Sequence, residues 1–363
     1  MPIDIQLVDR VKKVVEKIFT ISKNDWEEGE ISPNFKQLRH VGALNTFLSV
    51  KAYLESSTDE RNQRIQQTQR LEEENNRLFI EAYDLKDELS PEVPESEITL
   101  ARADREKDCQ RLISYAIGCM MGRYSLDEPG LIYAHAGNVG FDASRYATFP
   151  ADADGIVPLT IEAWFPDDAA TRMREFLLAV WGADTLEENM AWLAESLSKK
   201  SASGASQNVD FSPDETIRSN LADKFFKDHL KTYKKRPIYW LFSSGKQGAF
   251  QALVYLHRYT EGTLARLRAE YVVPLIAKVA SRLDMLGQDV AAASSAAVRT
   301  KLQKQIEALR KKQIELLAYD EKLRHYADMR ITLDLDDGVK VNYGKFGDLL
   351  EGVKIVTGGA SDD

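Results

Sequence analysis

The chain has 363 residues, of which 44% are hydrophobic and 29% charged, and its formal net charge is −9. No apolar run approaches the roughly 20 residues of a membrane span, and the N-terminal residues lack a secretory leader, so we expect a cytoplasmic protein without a membrane partner. The acidic balance argues against a protein coated in nucleic acid, but local patches can still contact phosphate because salt screens charges beyond about 10 Å.

The first predicted region, residues 1–90, is helical. Apolar residues recur at helical spacing over residues 5–20, with lysines on the opposite face. A second helical pattern covers residues 41–89, where Leu71, Leu78 and Leu85 recur at heptad spacing. These patterns predict a helical hairpin or a short coiled coil that ends at the proline-containing stretch 90–95.

The second predicted region, residues 91–262, is a mixed α/β module. Ser96 predicts a helix start, and Thr185 and Ser212 each precede a glutamate by three residues, which is typical of a capping box. Residues 198–206 are low in complexity and predict a flexible loop. The expected helices cover residues 96–121, 167–181, 185–197 and 212–236, and residues 155–159 read as a strand.

A β-hairpin is predicted over residues 237–257. Two runs rich in aromatic and β-branched residues, 238–242 and 250–257, flank the glycine-containing loop 243–248. Pro237 suits the first position of a strand, where no backbone donor is needed.

A group of cations directly precedes this hairpin, within a stretch of residues 218–236 that contains seven basic and two acidic residues. We call five of them the basic segment: Lys227, Lys231, Lys234, Lys235 and Arg236. Charge beside flat rings is what a surface facing a polyanion needs. The predicted DNA-contacting residues are therefore the basic segment, Lys246 at the hairpin tip, and Tyr239 and Trp240 in support. The alternative is a hydrophobic hairpin with solvated lysines in front of it.

The third predicted region, residues 263–326, is a pair of long antiparallel helices. Thr263 starts the first helix, and Pro274 is expected to kink it. The second helix has leucines at heptad spacing, which favours an intramolecular seam with the first. Residues 299–324 contain eight basic and four acidic residues, so the outer face either meets phosphate or is simply solvated.

The last predicted region, residues 327–363, is a hairpin followed by a tail. Alternating apolar residues around Asp337-Gly338 predict that hairpin. With the preceding regions, this gives a predominantly helical α+β fold, in which helical hairpins or coiled-coil-like segments accompany small β-hairpins.

The sequence predicts no catalytic residues and no metal site. Residues 244–247 follow a strand as a phosphate-binding loop does, but Trp240 and Gln247 stand where such a loop needs a glycine and a serine or threonine. The aspartates of residues 334–337 lack the distal glutamate of a calcium loop. Cys109 and Cys119 have no histidine at ligand spacing, so reduced thiols are expected.

Several blocks of the sequence carry a resemblance to a known family. Residues 234–245 read Lys-Lys-Arg-Pro-Ile-Tyr-Trp-Leu-Phe-Ser-Ser-Gly, and residues 253–259 read Leu-Val-Tyr-Leu-His-Arg-Tyr. Further blocks lie at residues 75–80, 113–127, 129–134, 154–159, 319–325 and 334–343. Together they resemble the C-terminal region of the phage-exclusion (BREX) adenine-specific DNA methyltransferases, which are related in layout to single-chain restriction-modification enzymes.

The resemblance implies a function within a larger enzyme. Such enzymes transfer a methyl group from S-adenosylmethionine to adenine in DNA and thereby mark host DNA. The family's Asn-Pro-Pro-Tyr loop and glycine-rich cofactor loop do not occur here, since Asn34 and Asn342 lack the following prolines. We therefore expect a non-catalytic module without a cofactor of its own, whose partners are double-stranded DNA and the N-terminal methyltransferase portion. The alternative is a scaffold without DNA affinity that docks other BREX proteins or a phage DNA-mimic inhibitor.

Overall fold

The computed structural model describes residues 5–38, 41, 47–198 and 211–358. It confirms a predominantly helical α+β fold with one small sheet. The helices are α1 (Ile5–Glu27), α2 (Val50–Ala82), α3 (Arg105–Met120), α4 (Ala169–Trp181), α5 (Leu186–Leu197), α6 (Pro213–Asn220), α7 (Phe226–Thr232), α8 (Thr263–Arg266), α9 (Val273–Ala292), α10 (Ala296–Asp328), α11 (Gly338–Gly344) and α12 (Val353–Thr357). The strands are β1 (Ile156–Pro158), β2 (Tyr239–Ser243) and β3 (Gln251–Tyr255).

Helices α1 and α2 form the predicted helical pair. Val14 of α1 is buried with Leu71 and Leu78 of α2. At the other end of α1, Glu28 accepts a hydrogen bond from Arg64 of α2 at 3.0 Å. Residues later in α1 thus contact residues earlier in α2, so the two helices are antiparallel.

Of the three predicted helix starts, the one at Ser96 is wrong, the one at Thr185 is confirmed without its capping box, and the one at Ser212 is confirmed with it. Helix α3 begins at Arg105, not at Ser96, because the Asp104 side chain accepts the Lys107 N–H and residues 98–104 run non-helically before it. The Thr185 side chain makes no capping hydrogen bond, because its hydroxyl donates to the Trp181 carbonyl instead. The capping box at Ser212 is present in full.

The predicted hairpin is confirmed as strands β2 and β3, and β1 adds a third strand. The order is β1-β3-β2, both pairings are antiparallel, and Tyr239 lies opposite Tyr255. Every residue of β2 is buried. Successive side chains of a strand point to opposite faces, so the burial of the whole strand means that both faces of the sheet are covered.

The long helices near the C-terminus form the predicted antiparallel pair. Arg268, before α9, hydrogen-bonds Asp320 near the end of α10 at 2.7 Å. The α10 leucines Leu309, Leu316 and Leu323 are buried. The kink expected at Pro274 stays a prediction, and the structure shows a π-helical stretch, Leu267–Val272, directly before α9. Proline has no backbone N–H to donate, so the regular pattern of α-helical hydrogen bonds is interrupted there.

The predicted hairpin within residues 327–363 is wrong. These residues form a short 3₁₀ turn, Leu335–Asp337, followed by helix α11. The Asp334 carboxylate accepts the Asp336 N–H, and the Asn342 amide donates to the Gly338 carbonyl at 2.9 Å, which favours turn and helix. Tyr343 of α11 and Phe346, which follows the helix, are both buried against Trp240.

One continuous cluster of buried apolar residues extends from Phe35 to Val356 and includes the sheet. The predicted boundaries at residues 90, 262 and 326 stay predictions. The predicted loop at 198–206 lies almost entirely outside the described residues, as do the last five residues of the tail.

Candidate nucleic-acid interface

The basic segment begins on α7, which continues from α6 through a π-helical turn, Leu221–Phe225. The inner face of α7 buries Phe226, His229 and Leu230. Lys227 and Lys231, one turn apart on the opposite face, are exposed. The amphipathic pattern of this short helix therefore places two cations on one stripe of the surface.

The remaining cations lie in the turn between α7 and β2. Lys234 and Lys235 have φ values of 50° and 61°, which are left-handed conformations. The Lys235 N–H donates to the Leu230 carbonyl at 2.7 Å, and the Arg236 N–H donates to the Tyr233 carbonyl at 2.9 Å. Left-handed backbone is unfavourable for residues with a Cβ atom. Two successive lysines in positions that suit glycine are an outlier of the kind that accompanies functional sites.

His229 fixes this turn from beneath. Its Nε2 accepts the backbone N–H groups of Ile238 and Tyr239 at 3.1 and 3.2 Å, so it joins α7 to the start of β2. Burial, with a contribution from Arg123, lowers the pKa of His229 to about 3, so the ring is neutral at physiological pH. The turn between α7 and β2 is therefore attached to the core through His229, while its cations remain at the surface.

Most cations of the basic segment have no carboxylate partner. The Lys231 ammonium lies 3.7 Å from the Asp228 carboxylate. Lys227, Lys234, Lys235 and Arg236 are exposed and form no ion pair with any residue that the structure describes. The result is a local surface of uncompensated positive charge on an acidic chain.

Lys246 does not belong to this surface. It is exposed in the loop between β2 and β3, and the five residues of β2, at roughly 3.3 Å each, separate it from Arg236. The loop is held by Glu315 of α10, which accepts hydrogen bonds from Ser244 and from the Gln247 N–H, both at 2.7 Å. Lys246 was grouped with the basic segment because the two are close in the sequence. Strand β2 lies between them, so Lys246 is at the opposite end of the sheet.

Tyr239 and Trp240, which the sequence predicted to support DNA contact with flat rings, lie in the core and not at the surface. Their side chains are 0% and 1% exposed. Tyr239 stacks on His229 with ring centres 4.9 Å apart, and Trp240 meets Tyr343 at 5.2 Å on the opposite face. The two rings support the basic segment from within the core and cannot stack on bases.

The second basic stretch, on α10, is partly neutralised. Lys311, Lys312 and Lys322 lie beside the carboxylates of Glu307, Glu162 and Asp348 respectively. Lys301, Lys304 and Arg310 are exposed without an ion pair in the described part of the chain. These three are a natural comparison for the basic segment.

The structure adds two residues that the sequence did not single out. Arg123 follows α3, and its charge acts on Tyr233 within the turn and on His257. His257 follows β3, and the Leu256 N–H donates to the Ile238 carbonyl at 3.1 Å, which places His257 beside the turn. More than a hundred residues separate the two in the sequence, so no local spacing could have indicated the pair.

Neither a metal cluster nor a membrane-spanning helix occurs within residues 5–38, 41, 47–198 and 211–358. No group of three or more histidine, cysteine or acidic residues there could hold a metal ion. No helix in those ranges is both long and apolar enough to cross a bilayer. Cys109 and Cys119 are buried free thiols, and burial raises the pKa of Cys109 to about 12.

No known family model matches the chain. Two curated proteins are similar over nearly all of it. An adenine-specific methyltransferase named BrxX from Escherichia coli O9:H4 (strain HS) is 44% identical over 381 residues, which cover 98% of this chain and 30% of the relative. An adenine-specific methyltransferase named PglX from Lacticaseibacillus casei (strain Zhang) is 40% identical over 351 residues, which cover 95% and 28%. The chain thus spans about three tenths of the length of these relatives.

Proposed function

Because the chain matches a C-terminal part of the PglX family of BREX methyltransferases, we propose that it holds double-stranded DNA for a methyltransferase activity located elsewhere in such proteins. In this proposal S-adenosylmethionine binding and methyl transfer belong to the portion of the relatives that the chain does not cover. In the same proposal, the described part of this chain contributes no cofactor site.

One observation supports this proposal above the others. Within the described residues the basic segment presents four cations without carboxylate partners, one on α7 and three in the turn that His229 and β2 fix to the core. Arginine and lysine on a rigid support are suited to phosphate, because contact with a duplex releases condensed counterions. Four phosphate contacts at about 0.9 each correspond to a slope of roughly −3 to −4 in a plot of log affinity against log salt concentration.

The test is fluorescence anisotropy of a labelled 30-base-pair duplex with the 363-residue chain, over a series of salt concentrations from 50 to 200 mM. The variant Lys234→Glu/Lys235→Glu/Arg236→Glu is expected to weaken binding roughly 100-fold or more at 50 mM salt and to flatten the salt dependence. Circular dichroism melting checks that the variant is folded.

A matched control separates the basic segment from charge in general. The variant Lys301→Glu/Lys304→Glu/Arg310→Glu makes the same change of charge on exposed positions of α10. We expect its DNA affinity to stay within about threefold of the unchanged chain, because fields are screened beyond about 10 Å. Equal weakening by both variants would contradict a localised interface.

A docking role is a second candidate, and the outer face of α1 favours it. Ile5, Phe19 and Trp26 are 76%, 66% and 55% exposed on that helix. Exposed apolar residues on one element are typical of a surface that binds another protein. In this case the chain would show no duplex binding at 50 mM salt, and it would co-purify with other BREX proteins or bind a phage DNA mimic through α1.

A further inference from the structure

A half-buried arginine that forms no ion pair with a described carboxylate lies beside the basic segment. The Arg123 N–H donates to the Gly118 carbonyl at 2.8 Å, so its backbone is fixed at the end of α3. The acceptors around its guanidinium are the hydroxyls of Tyr124, at 3.0 Å from Nε, and Tyr255. Both are neutral, and five N–H donors need more acceptors than two hydroxyls supply.

Glu30, whose charge acts on Tyr124 and Tyr233, does not fill this role. Glu30 accepts hydrogen bonds from Tyr233, at 2.8 Å, and from Ser114. Among the described residues no carboxylate forms an ion pair with Arg123. Burying a charge costs several kcal/mol unless it is paired, so the guanidinium is positioned at a cost that a bound anion would offset.

Other polar atoms around Arg123 also lack partners. The Tyr239 hydroxyl and the Nδ1 atoms of His229 and His257 are buried and make no hydrogen bond to any described residue. The Arg123 charge acts on all three side chains. Buried polar groups are usually satisfied, and several unsatisfied ones around a single cation indicate a small polar space suited to the oxygens of a ligand.

These groups lie next to the basic segment. His257 directly follows Leu256, whose N–H donates to the carbonyl of Ile238, two residues after Arg236. Arg123 and His257 both keep part of their surface exposed. A nucleic-acid backbone that contacts the turn would therefore pass beside them.

We infer that Arg123 and His257 form a phosphate subsite that takes one phosphodiester group of the duplex bound on the basic segment. The subsite rests on the proposed function and extends it. The arginine fork supplies directed donors to two phosphate oxygens. The neutral imidazole of His257 supplies a third donor without adding charge.

The experiment measures duplex affinity and its salt dependence for Arg123→Gln and for the charge-conserving Arg123→Lys. Arg123→Gln is expected to weaken binding about tenfold and to reduce the slope of log affinity against log salt by about 1. Arg123→Lys should keep most of the slope. His257→Gln, whose amide can still donate, should weaken binding only a few-fold. If the Arg123 variants are not folded, His257→Ala carries the test, with a loss of at least threefold expected.

A second readout does not depend on duplex affinity. Inorganic phosphate is titrated into the ¹⁵N-labelled chain, and the Nε–Hε resonance of Arg123, assigned by its loss in Arg123→Lys, is expected to shift with saturation. Absence of a shift overturns the subsite. So does an unchanged salt slope in Arg123→Gln, even if its melting temperature falls, because that combination describes a purely structural arginine.

The outcomes also separate this inference from the proposed function. If the charge reversal of Lys234, Lys235 and Arg236 abolishes binding while the Arg123 and His257 variants bind normally, only the subsite is wrong. If the unchanged chain binds no duplex at 50 mM salt, the proposed function fails, and with it the assignment of the bound phosphate to DNA.

Discussion

The basic segment and the hairpin behind it are adjacent in the sequence, yet the fold treats them in opposite ways. The cations are exposed, whereas Tyr239 and Trp240 lie in the core with both faces of the sheet covered. The sequence carried a sign of this difference. Residues 239–242 have no polar residue at alternate positions, which is typical of a strand buried on both faces. Residue type alone therefore groups the cations with the aromatic rings of the hairpin, whereas the geometry of the strand separates the exposed cations from the buried rings.

The largest effect that tests this contrast is on stability. Trp240→Ala should lower the free energy of unfolding by about 3–5 kcal/mol, because it leaves a cavity between Tyr343 and Phe346. Lys234→Ala, six residues earlier, should change it by less than about 0.5 kcal/mol. Urea denaturation measures the free energy of unfolding of both variants. Circular dichroism is used as the signal, because it does not depend on the tryptophan that one variant loses. A loss below 1 kcal/mol for Trp240→Ala would show that the hairpin is not part of the core.

A smaller effect concerns the histidine that joins the two regions. The pKa of His229 in the folded chain, about 3, is below its value of 6.5 in the unfolded chain. Its contribution to stability is therefore complete above pH 6.5 and is lost as the pH falls from 6.5 towards 3, by up to about 1.4 kcal/mol per pH unit.

The contribution of His229 is isolated by a difference measurement. His229→Gln retains an acceptor for the Ile238 and Tyr239 N–H groups but does not titrate. We expect the stability difference between the two proteins to shrink as the pH is lowered from 7 to 4.5. A constant difference over this range would contradict a neutral, buried His229.

The smallest effect concerns the backbone of the turn. Lys235→Gly should stabilise the chain by up to about 1 kcal/mol, because glycine adopts the left-handed conformation without a steric penalty. It should also weaken duplex binding several-fold by removing one cation. The matched control, Lys227→Gly, removes a cation from the helical conformation of α7 and should destabilise by about 0.5–1 kcal/mol. Thermal melts give the sign of each change, and the same sign for both would contradict the assigned turn.

Much of the fold could be predicted because its signals are local. The capping box at Ser212, the leucines of α10 and the hairpin runs around residues 243–248 each depend on neighbours within a few residues. The structure of residues 327–363 could not be predicted, because their alternating apolar residues fit a strand equally well. In the folded chain α11 packs its Tyr343 on Trp240, about a hundred residues away in the sequence, and no local pattern indicates this contact.

The candidate site was predictable only in its charged part. A run of cations is visible in any sequence, and solvent exposure of lysine is the usual outcome. The absence of carboxylate partners, the separation of Lys246 and the approach of Arg123 to His257 all follow from the folded chain. Each depends on elements that are distant in the sequence, so no spacing rule could have supplied them.

The π-helical turn Leu221–Phe225 determines how this helix responds to a change in its length. An α-helix advances about 100° around its axis per residue, whereas this turn accommodates one additional residue without breaking the rod. Deletion of a single residue here would restore a regular α-helical turn, so Lys227 and Lys231 would still face outward and Phe226 would stay buried. The orientation of these two lysines therefore tolerates a change of one residue in length at this point, and relatives that differ by such a gap would present the same face to their surroundings.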